Sequence, residues 1–243
     1  MKRKICIINP NTTKAMTQKI DLTAKKFASA DTEIVSVEPN VGPESIEGFY
    51  DEAFCIPGLV EEIKKHSDAD SYIIACFDDT GLDACRSFTD KPVLGIGECS
   101  YHAANLLGGN FSVITTLSRS IPALIGNLKK YGINANCNIV TSVEIPVLDL
   151  EKNPSITEQK LDNKIDEILS SSHSEIIVLG CAGMSDFAKK MQDKYKIPVI
   201  EGISVAIKFA ESFVELGLKT SKKLGYAKPR AKKYSGIFKP FQP

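Results

Sequence analysis

The sequence predicts an α/β protein of two similar lobes. Each lobe is expected to be a four-stranded parallel sheet flanked by helices. A pseudo-twofold axis should relate the lobes, with the functional site between them. Three observations carry this expectation. Short β-branched runs alternate with longer helical patterns, the signature of parallel sheets covered by helices. The pattern restarts partway along the 243-residue chain. A cysteine follows the third strand of each set.

In the first half, Lys4–Ile8 reads as a buried strand, and a helix is expected from near Thr13. Glu33–Val37 reads as the second strand and Ile56–Lys65 as a helix. Ser71–Ala75 and Lys91–Gly95 complete the set. In the second half the strands are Asn110–Ile114, Cys137–Val140, Glu175–Leu179 and Ile197–Ile200. Cys76 and Cys181 are 105 residues apart, and Pro92 and Pro198 are 106 apart. Each Pro-Val segment leads into a small-residue helix, Cys99–Ala104 and Ser204–Ala210. A repeat of this length implies duplication of an α/β half rather than a solenoid. The last helix, over Val205–Leu218, and the basic tail Lys222–Pro243 should fold back on the first half. This assigns residues 1–98 and 208–243 to the first lobe and 99–207 to the second. The tail itself reads as a solvated or loosely packed arm.

Thirty basic and thirty acidic side chains cancel, so no global charge points to nucleic acid or a membrane surface. No apolar run is long enough to span a bilayer, and Asn9-Pro-Asn ends the one that follows the basic start. A cytoplasmic location is therefore expected. The seven cysteines include no Cys-x-x-Cys, and there are only three histidines, so no zinc cluster is expected. Cys6 and Cys137 read as small buried hydrophobes, and so do Cys55, Cys85 and Cys99.

Cys76 and Cys181 differ in position. Each follows an apolar strand, where parallel sheets bind their ligands. With the lobes facing each other, both thiols reach one cleft from opposite sides. That suits inversion of a carbon stereocentre, which needs a base on one face and an acid on the other. A reacting carbon about 3–3.5 Å from each sulfur separates the sulfurs by roughly 6–7 Å. A disulfide, with an S–S bond of about 2 Å, would not fit that spacing. A thiol of reference pKa about 8.5 is partly ionised near neutrality. Helix N-terminal amides should favour the thiolate further. Two facing thiols should not both ionise, so a thiolate/thiol pair is expected. Amides of Asp78–Gly81 and Ala182–Met184 are placed to stabilise an enolate oxygen.

On these motifs the chain resembles the aspartate/glutamate/hydantoin racemase superfamily, and within it the hydantoin racemase branch, which includes allantoin racemases. The resemblance spans about Ile7 to Leu216. It rests on Ile8–Thr13, Gly42–Gly48, Ala75–Leu82, Gly95–Glu98, Phe111–Thr116 and Leu179–Met184. It implies a two-lobed fold without metal or organic cofactor, with Cys76 and Cys181 as acid/base residues. Amino-acid racemases of the superfamily typically follow the first cysteine with Asn-Thr and the second with Thr. Here Phe77-Asp-Asp and Ala182-Gly-Met take those places. A small apolar second site fits a neutral cyclic ureide better than a zwitterion.

The further expected contacts lie at strand ends. Asn11, Thr115 and Thr116 are placed either to bind ring carbonyls and N–H groups or to cap the following helices. Ser45 and Ile46 form either a cover over the cleft or an ordinary turn. Phe77, Thr80, Gly81, Ala182 and Gly183 surround the two thiols in sequence. Asp79 orients a ring N–H or holds the loop backbone. Glu98 reads as a structural helix-start acid, and His66 and His102 as surface or packing residues.

The leading expectation is cofactor-independent racemisation of a 5-substituted hydantoin. Allantoin is the specific candidate, which would place the enzyme in purine catabolism. An isomerase or decarboxylase of small dicarboxylates on the same fold is the enzymatic alternative. A non-catalytic small-molecule sensor is the alternative of another class. The expected partners are a small cyclic ureide and further copies of the chain in a homo-oligomer, with no nucleic acid and no membrane.

Overall fold

The computed structural model describes every residue except Met1 and Glu151. The first half runs β1 (Arg3–Ile8), α1 (Lys14–Phe27), β2 (Thr32–Val37), α2 (Phe49–Lys65), β3 (Ser71–Ile74), α3 (Leu82–Phe88) and β4 (Val93–Gly95). Helix α4 (Ile96–Leu107) leads into β5 (Phe111–Thr115), α5 (Ile121–Lys130), β6 (Cys137–Ser142), α6 (Pro154–Ser171), β7 (Ile176–Gly180), α7 (Ser185–Tyr195) and β8 (Val199–Glu201). Helix α8 (Gly202–Glu215) follows, and the tail after it carries only short 3-10 turns.

The strands form two four-stranded sheets, ordered β2-β1-β3-β4 and β6-β5-β7-β8. Every pairing is parallel. The two-lobed α/β expectation is met, and the two strand orders are the same permutation. Both central strands of each sheet are covered on two faces. They therefore read as continuous apolar runs rather than alternating ones: β3 and β7 are buried at every residue.

Three apolar clusters hold the layers. Cys6, Ile8, Tyr72 and Ile74 pack against α2 and α3 on the outer face of the first sheet. Ile114, Ile177 and Leu179 pack against α6 and α7 on the outer face of the second. The largest cluster is shared. Ile5, Ile7 and Ile73 of one sheet join Phe111, Val113 and Val178 of the other through α4 and α8. Those two helices meet through small residues. A Cβ on Gly202 would lie 2.6 Å from the Ile96 carbonyl oxygen, so only glycine permits that approach. The lobes thus have separate sheets but one continuous core.

Several boundaries differ from the sequence expectation. Helix α2 begins at Phe49, seven residues before Ile56, and carries Pro57 inside it. Its first turns expose Phe49, Tyr50 and Phe54, so their apolar residues mark no buried stripe. Helix α8 starts at Gly202 because the Glu201 carboxylate accepts from the Ile203 and Ser204 amides, each at 2.8 Å. Strand β4 starts after Pro92, which lacks a ladder donor. Cys137 is half-buried on edge strand β6, whereas Cys6, Cys55, Cys85 and Cys99 are buried as expected.

The tail does return to the first half. Lys222 Nζ donates to the Arg86 carbonyl, and the Tyr226 hydroxyl donates to Asp83 at 2.9 Å. Most of its side chains remain exposed. Among the described residues no helix is long and apolar enough to cross a membrane.

Candidate active site

Strands β3 and β7 are the third strand of each half, and both run toward the same cleft. Ile74 is followed by Ala75-Cys76, and Gly180 by Cys181. Both cysteines line one narrow cavity of about 40 Å³. The duplication is visible in its walls. Pro10 and Thr115, Asn11 and Thr116, Ala75 and Gly180, Phe77 and Ala182 are pairs of wall residues separated by 105 positions. Cys76 and Cys181 are a fifth such pair.

Each thiol keeps part of its surface on the cavity while protein encloses the sulfur. Burial raises the Cys76 pKa well above its ordinary value, with the nearby Asp78 charge adding to the shift. The Thr80 hydroxyl, 3.5 Å from Sγ, and the Asp78 amide oppose it. Burial likewise lifts Cys181 to about 11, opposed by the Gly183 amide. Neither thiol is held ionised by the empty cleft. The expected thiolate/thiol pair is replaced by two neutral thiols, because loss of solvent outweighs one amide at each sulfur.

Asn11 does two things at once. Its side chain is on the wall, and its Oδ1 accepts from the Thr13 amide and from Asn9 Nδ2, both at 2.9 Å. Thr115 and Thr116 are also on the wall, with the Thr115 hydroxyl donating to the Gly180 carbonyl at 3.1 Å. Phe77 is buried there, edge-on to Tyr101 with ring centroids 5.3 Å apart. Ile46 contributes from the loop after β2 and Val147 from the loop after β6. Those two loops are tied together, since the Val147 amide donates to the Glu47 carboxylate at 2.9 Å.

Other expected residues are not on the wall. Ser45 is half-buried beside Ile46. Thr80 reaches the site only through Cys76. Gly81, at φ +71°, begins α3 and faces Leu59 and Ile56. Gly183 offers its backbone, with its carbonyl accepting from Lys19 Nζ at 2.9 Å. Asp79 is engaged in the protein. Its carboxylate accepts from the Gly97 amide at 3.0 Å, the Glu98 amide at 2.7 Å and the Tyr131 hydroxyl at 2.9 Å. It caps α4, which explains Gly97: a Cβ there would sit 2.3 Å from the Phe77 carbonyl oxygen. Burial lifts the Asp79 pKa to about 7 despite these donors. Glu98 pairs with Arg86.

The sequence reading missed Pro10, Met16, the Asp78 side chain, Ser120 and Val147 on the wall. The 105-residue offset already pointed to Pro10, the partner of Thr115. Asp78 carried no such signal, because its partner position is Gly183. Among the described residues no three His, Cys, Asp or Glu side chains converge as a metal would require.

An all-parallel two-lobed fold, with its cavity between equivalent strand ends, defines this molecule as a member of the two-lobed racemase architecture. The chain belongs to the Asp/Glu/hydantoin racemase family, whose profile matches residues 5–210. It is 43% identical to the hydantoin racemase of Pseudomonas sp. (strain NS671), covering 98% of this chain and 96% of that one. The solved allantoin racemase from Klebsiella pneumoniae superposes with a TM-score of 0.95 at 38% identity, over 99% of each chain. The allantoin racemase from Pseudomonas fluorescens gives 0.93 at 32% identity, over 96% of this chain and 100% of that one. The protein is an isomerase of the racemase type.

Proposed function

We propose that this racemase acts on 5-substituted hydantoins, with allantoin as the favoured substrate, by proton transfer between Cys76 and Cys181. The observation that carries the reading is the pair of thiols at equivalent strand ends on one cavity. The likeness to hydantoin and allantoin racemases supports the substrate class.

In the forward direction one thiolate removes the C5 proton. The C–H electron pair moves into the ring as C5 becomes planar, and the negative charge collects on the C4 oxygen. The opposite thiol then delivers its proton to the other face. The first sulfur ends as a thiol and the second as a thiolate, ready for the other enantiomer. Neutral groups around the ring, the Asn11 amide and the Thr115 and Thr116 hydroxyls, suit an uncharged ureide. A small dicarboxylate would bring two negative charges beside Asp78, and the wall offers no cationic side chain to offset them.

A cavity of about 40 Å³ holds only a few waters. Substrate therefore enters when the loops bearing Ile46 and Val147 part, which breaks the contact between Glu47 and the Val147 amide.

The test is optical decay followed by circular dichroism on (S)-allantoin and on 5-benzylhydantoin. Loss of signal without a new product is the expected result, faster on allantoin. Persistence of both signals at high enzyme concentration would overturn the reading.

A further inference from the structure

The cavity walls match in pairs, with one charged exception. Asp78 lines the cavity, and the corresponding place in the second half is Gly183, which has no side chain. Asp78 is only 8% exposed and is fixed from the opposite half. The Ser120 hydroxyl donates to its Oδ2 at 3.1 Å, and Asn127 Nδ2 donates to its carbonyl at 2.7 Å. Among the described residues no donor reaches Oδ1. The carboxyl is therefore held firmly with one oxygen left for the cavity.

Racemisation moves a proton from one face of the carbon to the other. The groups that move it can be a symmetric pair. The substituent on that carbon must be held by groups that need no counterpart. The geometry points to Asp78 as the residue that selects the substituent, by accepting N–H hydrogen bonds from a carbamoyl-type (ureido) group on C5. An alkyl or aryl substituent has no donor to offer, and it would leave a desolvated carboxyl facing carbon. A site built around a polar contact discriminates strongly against analogues that lack the group. Glu52 adds to the acidity of this corner. Its Oε1 is buried without a partner, and its charge, after burial, is the next cause lifting the Asp78 pKa to about 7. A substrate bearing several N–H groups relieves that corner, whereas an anionic one worsens it.

This inference rests on the hydantoin reading above, so its test separates recognition from turnover. The C76S/C181S double variant cannot pass protons between thiols but keeps the cavity. Titration calorimetry with (S)-allantoin and with 5-methylhydantoin measures its preference, and the same variant carrying D78A measures the contribution of the carboxyl. The expected result is tighter binding of allantoin, with D78A weakening it about 10–100-fold and 5-methylhydantoin about threefold or less. D78N, nearly isosteric and able to keep the Ser120 contact, should give an intermediate loss and guards against a folding artefact. Equal losses on both ligands, no loss on allantoin, or no initial preference for allantoin would each overturn the assignment. If allantoin binds through Asp78 but the unaltered enzyme racemises neither compound, the proposed reaction falls and this inference stands.

Discussion

The loop after β3, Cys76 to Thr80, and the loop after β7, Cys181 to Ser185, began as equivalent segments and now have different duties. Both place a thiol on the cavity and aim a backbone amide at it from two residues onward. Beyond that they diverge. Position 78 is a buried carboxyl and its partner 183 is glycine. Position 79 is a carboxylate capping α4, and its partner Met184 is a fully buried apolar side chain in the outer core of the second lobe. Thr80 faces its thiol, while the partner Ser185 lies 3.2 Å from Thr23 on α1. The comparison teaches that the reaction fixes only the symmetric part, the thiols. The remainder of each loop was free to take on substrate selection or packing.

Serine at either thiol should produce the largest effect and break the comparison outright. C76S and C181S should each lower racemisation about 10²–10⁴-fold, because a hydroxyl is a far weaker base and acid at neutral pH. Deuterium exchange in D₂O would sharpen it, since each variant should exchange the C5 proton of only one enantiomer. Full racemisation by either variant would end the two-base account.

The partner positions 79 and 184 should both matter for stability, by different physics. M184A leaves a cavity in the second lobe and should cost about 2–5 kcal/mol. D79A leaves the Gly97 and Glu98 amides and the Tyr131 hydroxyl without their acceptor and should cost about 2 kcal/mol. Urea titrations with unchanged m-values would measure both. Losses near zero at either position would show that the loop is not tied down as described.

Alkylation of Cys181 in the C76S background, followed by mass spectrometry, reports its ionisation directly. The thiolate is the reacting form, so the rate should rise about tenfold per pH unit below the pKa and level off near about 11. D78N removes a negative charge felt by this thiol and should move the profile to lower pH. A plateau already near pH 7 would mean that the cleft does stabilise the thiolate. The smallest effect belongs to T80V. Losing a hydroxyl 3.5 Å from Sγ should slow Cys76-dependent exchange about two- to threefold, with no change in Cys181 alkylation.

Much of this molecule was legible in the sequence. The strands, their parallel order and the duplication followed from apolar runs and the recurrence of cysteine and Pro-Val at one offset. The helices were less legible. Helix α6 buries only Thr157, Leu161, Ile165 and Ile168, a narrow stripe on a largely polar segment. Asn153-Pro154 was its one clear start signal. Asp79 was read with two possible duties, and local sequence could not separate them because the deciding partners, Gly97 and Tyr131, come from α4 and from the C-terminal end of α5.

The sequence alone determined that two thiols end equivalent strands, because periodicity and repetition are properties of the chain's order. Only the tertiary structure decided which side chains share the cavity with them. Asp78 meets Ser120 and Asn127, 42 and 49 residues away, across the cleft. Only the packed lobes exclude the water that would otherwise keep both thiols near their ordinary pKa. Burial and cross-lobe contact depend on how the lobes close, and no local pattern encodes that.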